Sequence, residues 1–252
     1  MPRTPAQRRL PFAYRAVVAI LRPVLVVLTK RDWRGMDNLP ATGGMVVCTN
    51  HLSHVDVLPF GHFMYDSGRP VVFLGKASIF RFPVVGWIVT RAGQIPVHRG
   101  TDRALESLRA ALAAVRDGHA VAVYPEGTLT RDPDLWPMRG KTGAARIALE
   151  TRCPVIPVAM WGPQEILGPY SKRPNLLPRK TIRVSAGPPV DLADLYDAPD
   201  RRAAVSAATD RIMAALTGQL ALIRGEAAPA RRWDPAEHGQ TEFGHDDTRL
   251  TG

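Results

Sequence analysis

Short apolar runs that alternate with helix-like segments constrain the fold of this chain more than any other feature. The runs typical of strands lie at residues 45–48, 71–74, 94–97, 120–124, 153–160 and 181–186. Apolar side chains recur at helical spacing over residues 101–117 and again over 203–223. This alternation predicts an α/β fold in which a mixed, mostly parallel sheet is flanked by helices. Such sheets usually bind their ligands where the strands end.

The stretch after residues 45–48 carries the groups best suited to acid–base chemistry. It reads Asn50-His51-Leu52-Ser53-His54-Val55-Asp56. Residues five apart diverge by roughly 140° on a helix. His51 and Asp56 can therefore meet only if His51 lies in a loop and the helix begins near Ser53. Asp56 would then accept the imidazole Nδ1–H and leave Nε2 to take a proton.

Two other interpretations of this stretch stay open. Ser53 and Asp56 have the spacing of a capping box, which would make His51 an ordinary loop residue. Alternatively, His51, His54 and Asp56 could be metal ligands, although metal sites usually draw ligands from several segments.

The excess of basic over acidic residues indicates what kind of molecule the protein binds. Lys and Arg outnumber Asp and Glu by 33 to 23, and the resulting formal net charge of +10 favours anionic partners. No stretch interleaves aromatic with basic residues, so nucleic acid is not favoured. Cys48 and Cys153 lie in apolar runs, which predicts buried thiols and fits a reducing cytoplasm.

Residues 1–31 are predicted to form a helical segment that lies on a membrane surface. Arg8, Arg15 and Arg22 recur every seven residues and share one helical face, while apolar side chains occupy much of the remainder. This amphipathic pattern favours the headgroup layer of an anionic bilayer. Its longest uncharged run is too short to span one. Pro23 is expected to bend or split the helix. The alternative is a helix packed on its own domain.

The amino-acid composition along the chain predicts the remaining domain boundaries. Residues 32–224 are predicted to form the α/β domain. Residues 225–252, where apolar side chains thin out, are predicted to be a disordered tail.

Two loops of the predicted domain are suited to anions. Gly127 lets the backbone come close to a ligand, and Thr128 beside it offers a hydroxyl to phosphate oxygens. Gly140 and Lys141 stand at the start of a predicted helix, where backbone N–H groups attract anions.

Four blocks, in order along the chain, carry a resemblance to a known family. They are Asn50-His51-x4-Asp56, Gly75-Lys76 through Pro83-x-x-Gly86 to Ile95-Pro96-Val97-His98-Arg99, Tyr124-Pro125-Glu126-Gly127-Thr128, and Pro154-Val155-Ile156-Pro157-Val158. Together they resemble the glycerolipid acyltransferases, best known as 1-acyl-sn-glycerol-3-phosphate acyltransferases. That family combines a membrane-associated α/β domain with transfer of an acyl chain to a glycerophosphate hydroxyl.

The resemblance implies a role for each matching residue. His51 is implied as the general base and Asp56 as the group that orients it. The residues implied to bind substrate are Lys76, Arg99 (a phosphate ligand), and Glu126, Gly127 and Thr128, which would hold the glycerol-phosphate end of the acceptor. The fourth block is implied to support the acyl site.

One residue departs from the family's third block, which usually reads Glu-Gly-Thr-Arg. Leu129 stands where the arginine is expected, so Arg131, Arg139 or Lys141 would have to supply the cation. This departure leaves the identity of the acceptor open.

The implied reaction is acyl transfer from acyl-CoA or acyl carrier protein to lysophosphatidic acid, giving phosphatidic acid in phospholipid biosynthesis. No metal or other cofactor is implied, and the expected place is the cytoplasmic face of the cell membrane, as a peripheral or monotopic protein. Three alternatives remain: transfer to another lysolipid such as a glycolipid or aminolipid, a metal-dependent phosphohydrolase, and a non-catalytic membrane-surface protein.

Overall fold

A computed structural model describes residues 4–98 and 104–240 of the 252-residue chain. The strands are β1 Thr29–Arg34, β2 Met45–Thr49, β3 Val71–Lys76, β4 Ile95–Val97, β5 Ala120–Val123, β6 Val155–Trp161 and β7 Lys180–Ala186. The α-helices are α1 Pro5–Arg8, α2 Phe12–Leu28, α3 Val57–Asp66, α4 Pro83–Arg91, α5 Ala104–Arg116, α6 Gly143–Thr151, α7 Pro163–Ile166 and α8 Arg201–Arg224. Short 3-10 helices cover Met36–Asn38, Ala77–Arg81, Ala193–Leu195 and Pro235–His238.

The strands form one seven-stranded sheet in the order β1-β7-β6-β2-β5-β3-β4. β6 and β7 pair antiparallel, and every other neighbouring pair is parallel. The predicted mixed, mostly parallel sheet is therefore confirmed. β2 lies at the centre, between β6 and β5, and all five of its residues are buried. This explains why the run at 45–48 is apolar without interruption, since a central parallel strand is covered on both faces.

The two faces of the sheet are covered by different helices. Val46 and Cys48 point into a core that also contains side chains of α5, α6 and α8. Met45 and Val47 point the other way, into a core shared with α3. Cys48 and Cys153 are both buried and unpaired thiols, as predicted. Gly44, just before β2, is required by packing, because a Cβ there would lie 1.9 Å from the carbonyl oxygen of Val115.

The N-terminal helix α2 packs on the domain and also leaves an apolar row uncovered. It contacts α3 and α4, buries Tyr14, and joins Arg22 to Asp66 of α3 at 2.9 Å. The exposed row consists of Phe12, Ile20, Val24 and Val27. Among residues 4–98 and 104–240, we find no helix whose length and apolar character would let it cross a membrane.

The structure differs from the sequence-based expectations for the N-terminal segment at two points. Pro23 does not split the helix, which runs without a break from Phe12 to Leu28. The carbonyl that loses its partner to Pro23 belongs to Ala19, and both residues are exposed, so water can take the missing bond. The sheet also begins before residue 32, because Thr29 of β1 already pairs with Lys180.

The segment after α8 differs from the predicted disordered tail over residues 225–240. The carbonyl oxygen of Trp233 accepts the N–H of Arg139 at 2.9 Å, and the Arg139 guanidinium pairs with Asp234 at 3.1 Å. Arg232 reaches Asp210 of α8 at 2.7 Å. Polar contacts rather than apolar burial hold this segment, so its composition does not reveal it. Residues 241–252 lie outside the described residues.

Candidate active site

The candidate site lies where two adjacent parallel strands end. β2 leads directly into Asn50 and His51, and β5 leads into Tyr124 and the third block. Cys48 pairs with Val123, so the residues that follow each strand emerge side by side at one edge of the sheet. This is the position at which open α/β sheets bind ligands.

His51 and Asp56 form the predicted pair. The Nδ1 atom of His51 lies 2.8 Å from Oδ2 of Asp56, whose side chain is fully buried, while the histidine side chain is 19% exposed. A carboxylate can only accept, so Nδ1 carries the proton and Nε2 is left as the basic nitrogen. A neutral imidazole held in this way can act as a general base.

Asp56 stands at the N-terminus of helix α3, but its side chain does not cap that helix and instead binds the loop before it. Its Oδ2 accepts the backbone N–H groups of Leu52 at 2.9 Å and Ser53 at 3.2 Å. The helix α3 begins at Val57 rather than near Ser53, and Asp56 is the residue just before it. His51 therefore lies in the loop, as predicted, although the helix starts later. Orienting His51 and tying down the loop are two functions of one carboxylate.

Tyr124 is a member of the site that sequence reasoning missed. Its hydroxyl donates to Oδ1 of Asp56 at 3.1 Å, and its ring lies against the imidazole of His51 with 4.2 Å between centroids. Burial, together with the neighbouring Asp56 charge, raises the pKa of Tyr124 well above its ordinary value. The tyrosine therefore stays a hydrogen-bond donor to the carboxylate. Its place at the end of a strand, directly before the third block, was the available signal.

Asn50 fixes the start of the same loop. Its side-chain amide donates to the carbonyl oxygen of Met160 at 2.9 Å and accepts the N–H of Met160 at 2.8 Å. This two-way bond clamps the end of β2 to β6. Asn50 is buried and its role is to position His51.

Glu126 lies under the histidine loop. One carboxylate oxygen accepts the backbone N–H of His51 at 3.1 Å, and the other accepts the N–H of Met138 at 3.0 Å. Glu126 was predicted to hold the acceptor, but here both of its oxygens bind the chain itself. Burial raises the pKa of Glu126 from 4.5 to about 7, and the two N–H bonds partly oppose that shift.

A cavity of about 600 Å³ opens beside this carboxylate. The third block, the start of α6 and the C-terminal segment line it, through Glu126, Thr128, Met138, Arg139, Gly140, Lys141, Thr142, Asp234, Pro235, Ala236 and Gln240. Gly127 has a positive φ of 73°, and a Cβ there would come within 3.1 Å of the Lys141 side chain. Thr128 and Lys141 line the same cavity, together with Arg139 and Asp234, which form an ion pair.

Other predicted residues are not brought to this cavity. Lys76 ends β3, on the same edge of the sheet, but β5 separates β3 from β2. Arg131 is not among the lining residues, and its N–H donates to the sulfur of Met138 at 3.1 Å. Leu129 is only 3% exposed, so the position of the family's arginine is part of the interior. Arg99 lies outside the described residues.

The part of the chain that the structure describes shows no group of side chains that would support the metal-ligand interpretation. His54 is exposed, whereas Asp56 is buried. Within residues 4–98 and 104–240, no three His, Cys, Asp or Glu side chains are grouped so that they could hold a metal ion.

Comparison with known proteins gives consistent matches. A model of the acyltransferase family matches residues 30–161, just over half of the chain. The chain is 31% identical over 163 residues to a chloroplastic 1-acyl-sn-glycerol-3-phosphate acyltransferase of Brassica napus, and the match covers 64% of the chain and 45% of that relative. It is 33% identical over 117 residues to a lyso-ornithine lipid O-acyltransferase of Pseudomonas aeruginosa, covering 46% of the chain and 42% of that relative. The chain thus spans less than half the length of these two relatives.

A solved structure shares the fold. The crystal structure of the 1-acyl-sn-glycerophosphate acyltransferase of Thermotoga maritima matches with a TM-score of 0.61 and 20% sequence identity. The match covers 88% of this chain and 81% of that one. It supports the α/β architecture described above.

The raised pKa of Glu126 predicts a pH-dependent stability. The folded protein holds a proton on Glu126 between pH 4.5 and about 7, where the unfolded chain has lost it. The free energy of unfolding should therefore fall as pH rises from 5 to 8, by on the order of 3 kcal/mol, and Glu126→Gln should lack this component. Urea unfolding of both proteins across this range measures the difference. Curves that stay parallel would show that the carboxyl is ordinary.

Proposed function

The chain belongs to the acyltransferase family, and we propose that it moves a fatty acyl group from an acyl thioester to the free hydroxyl of lysophosphatidic acid, forming phosphatidic acid. The observation that carries this proposal is the 2.8 Å contact between His51 and the buried Asp56. Glu126, which accepts the backbone N–H of His51, also lines a cavity with cationic residues. The name of the Brassica napus relative supports the same reaction. The pathway served would be phospholipid biosynthesis.

The chemistry follows from the tautomer of His51. Its Nε2 removes the proton of the acceptor hydroxyl while the oxygen attacks the thioester carbonyl carbon. The imidazolium that forms is stabilised by the Asp56 carboxylate, which four hydrogen-bond donors hold in position. When the tetrahedral intermediate collapses, the C–S bond breaks and the thiolate takes the proton back from Nε2. Acyl-CoA or acyl carrier protein serves as co-substrate, and no metal or other cofactor takes part.

The cavity beside Glu126 is the proposed site for the anionic end of the acceptor. Lys141 and Arg139 supply positive charge there, and Thr128 supplies a hydroxyl. Charged donors of this kind bind phosphate oxygens more strongly than neutral ones. Arg99 and Arg131 remain additional phosphate ligands predicted from the sequence, and Lys76 remains a predicted substrate-binding residue. Because Leu129 is buried, the cation that the third block lacks comes from Lys141 or Arg139.

An acceptor that carries an amine is the second candidate. Asp234 brings a carboxylate to the same cavity as Arg139 and Lys141, so the lining offers both signs of charge. A zwitterionic lysolipid would match such a lining, and the Pseudomonas aeruginosa relative is named for a lyso-ornithine lipid. The reaction at His51 is the same for both acceptors.

The proposed place of action is an anionic membrane surface, on the cytoplasmic face. Helix α2, which leaves Ile20, Val24 and Val27 uncovered, contacts α4, which exposes Val84, Val85 and Trp87. Exposed apolar side chains on adjacent helices, on a protein of net charge +10, suit the headgroup layer of an anionic bilayer. Arg22 is engaged with Asp66, so in this pose it anchors the helix rather than reaching lipid phosphate.

The reaction is tested by replacing the base. His51→Ala should lower the rate of thiol release from acyl-CoA by roughly 10²–10⁴-fold, the usual contribution of a general base. His54→Ala, three residues away and exposed, is the matched control and should keep its rate. The assay is run with lysophosphatidic acid and lyso-ornithine lipid as acceptors, with and without EDTA. Full turnover by His51→Ala, or loss of turnover in EDTA, would contradict the proposed mechanism.

Membrane contact by α2 is tested by substitution, because deleting residues 1–31 would also remove the start of β1. Ile20→Ser combined with Val27→Ser should weaken co-sedimentation with vesicles that contain phosphatidylglycerol, since two exposed apolar side chains no longer enter the bilayer. Leu105→Ser with Leu222→Ser removes equally exposed leucines from α5 and α8, which cover the other face. Equal weakening in both double variants would show that α2 has no special contact.

A further inference from the structure

The connection between β6 and β7 carries an unusual surface. From residue 170 to residue 179 every side chain is exposed, and the large apolar ones are Tyr170, Leu176 and Leu177, the last of them 74% exposed. The same connection contains Lys172, Arg173, Arg179 and Lys180, and no acidic residue stands between Ile166 and Ile182. We call residues 168–180 the β6–β7 loop.

This loop is fixed at one end to the end of α2 and, just before its other end, to the loop that carries His51. The Arg179 guanidinium donates to the carbonyl oxygens of Val26 at 2.8 Å and Thr29 at 2.7 Å, at the end of α2. Just before the loop, the carbonyl oxygen of Leu167 accepts the hydroxyl of Ser53 at 2.6 Å. Within it, the N–H of Asn175 donates to Ile166 at 2.6 Å. The exposed leucines are therefore presented on an anchored loop that joins α2 to the histidine loop.

The topology places the loop at the edge where the strands deliver His51. β6 runs parallel to β2, so the chain leaves β6 at the same edge at which β2 ends. β7 returns antiparallel to β6 and pairs with β1, so the end of α2 lies at that edge too. The loop, the end of α2 and His51 thus share one edge of the sheet.

We propose that the β6–β7 loop is a second membrane contact, in which Leu176 and Leu177 enter an anionic bilayer and Lys172 and Arg173 meet its phosphates. Apolar side chains flanked only by positive charge suit this partner, because both the hydrophobic and the electrostatic terms favour it. An acidic protein would also match the positive charge of the loop, and the charge-exchange experiment below distinguishes it from a membrane. With α2 and the loop both in contact, the His51 edge faces the lipid from which an acceptor comes. The inference rests on the proposed membrane contact and not on the acyl transfer step.

The test uses a fluorophore that reports its surroundings. Cys48 and Cys153 are buried, so a single new cysteine can be labelled on the full chain. The fluorescence emission of nitrobenzoxadiazole attached to Leu177→Cys should shift to shorter wavelength when vesicles containing phosphatidylglycerol are added. His119→Cys, exposed in the turn before β5 at the opposite edge, should not shift. A label on Leu177→Cys that stays as in water, or one that shifts no more than that of His119→Cys, would overturn the proposal.

A third position separates the loop from the proposed function. Ile20→Cys on α2 reports the first membrane contact. An emission shift at residue 20 without one at residue 177 would support membrane contact by α2 and overturn membrane contact by the β6–β7 loop. No shift at either position would reject both, whereas a failure of acyl transfer leaves these signals unaffected.

A charge exchange tests the electrostatic part. Lys172→Glu with Arg173→Glu should lower the vesicle partition coefficient at least about tenfold, since each basic residue near an anionic surface contributes several-fold. Arg109→Glu with Arg202→Glu makes the same change of net charge on exposed residues of α5 and α8. If the vesicle partition coefficient fell equally in both double variants, overall charge alone would explain the effect, and the proposal would be overturned. Unchanged partition of the loop variant, with capture of an acidic protein instead, would do the same.

Discussion

The Asp56 carboxylate is the group on which the candidate site depends. It is fully buried and accepts four hydrogen bonds, from the imidazole of His51, the N–H groups of Leu52 and Ser53, and the Tyr124 hydroxyl. A buried charge is tolerated only when its lone pairs are satisfied in this way. The same bonds fix the direction of the imidazole and its tautomer. The Asp56 side chain therefore both stabilises the loop that carries His51 and orients the imidazole for the proposed reaction.

The sheet supplies these donors from segments far apart in the sequence. β2 and β5 are neighbours, so the loops after them meet, and Glu126 fastens the second loop to the backbone of His51. Asn50 fastens the first loop to β6. Leu167, just before the β6–β7 loop, adds a further link by accepting the hydroxyl of Ser53. The geometry of His51 is thus set by three strands, and the same edge carries the proposed lipid contacts.

Local spacing was enough to predict the strand before His51 and its pairing with Asp56, because both residues lie in one short loop. Tyr124 could not be predicted, since its contact with Asp56 depends on which strand lies beside β2. The partners of Glu126 are backbone N–H groups, which no side-chain pattern reveals. The segment 225–240 was missed because ion pairs rather than apolar residues hold it. Pro23 does not split α2, because the Ala19 carbonyl that it leaves without a partner is exposed to water.

The most direct test of the account concerns the proton on His51. In protein labelled with ¹⁵N-histidine at a pH where the ring is neutral, the signal of His51 is assigned by its loss in His51→Ala. The account predicts a protonated Nδ1 and an unprotonated Nε2, with this preference lost in Asp56→Asn. A proton found on Nε2 in the unmodified protein would contradict the central claim, because the nitrogen meant to act as base would already be occupied.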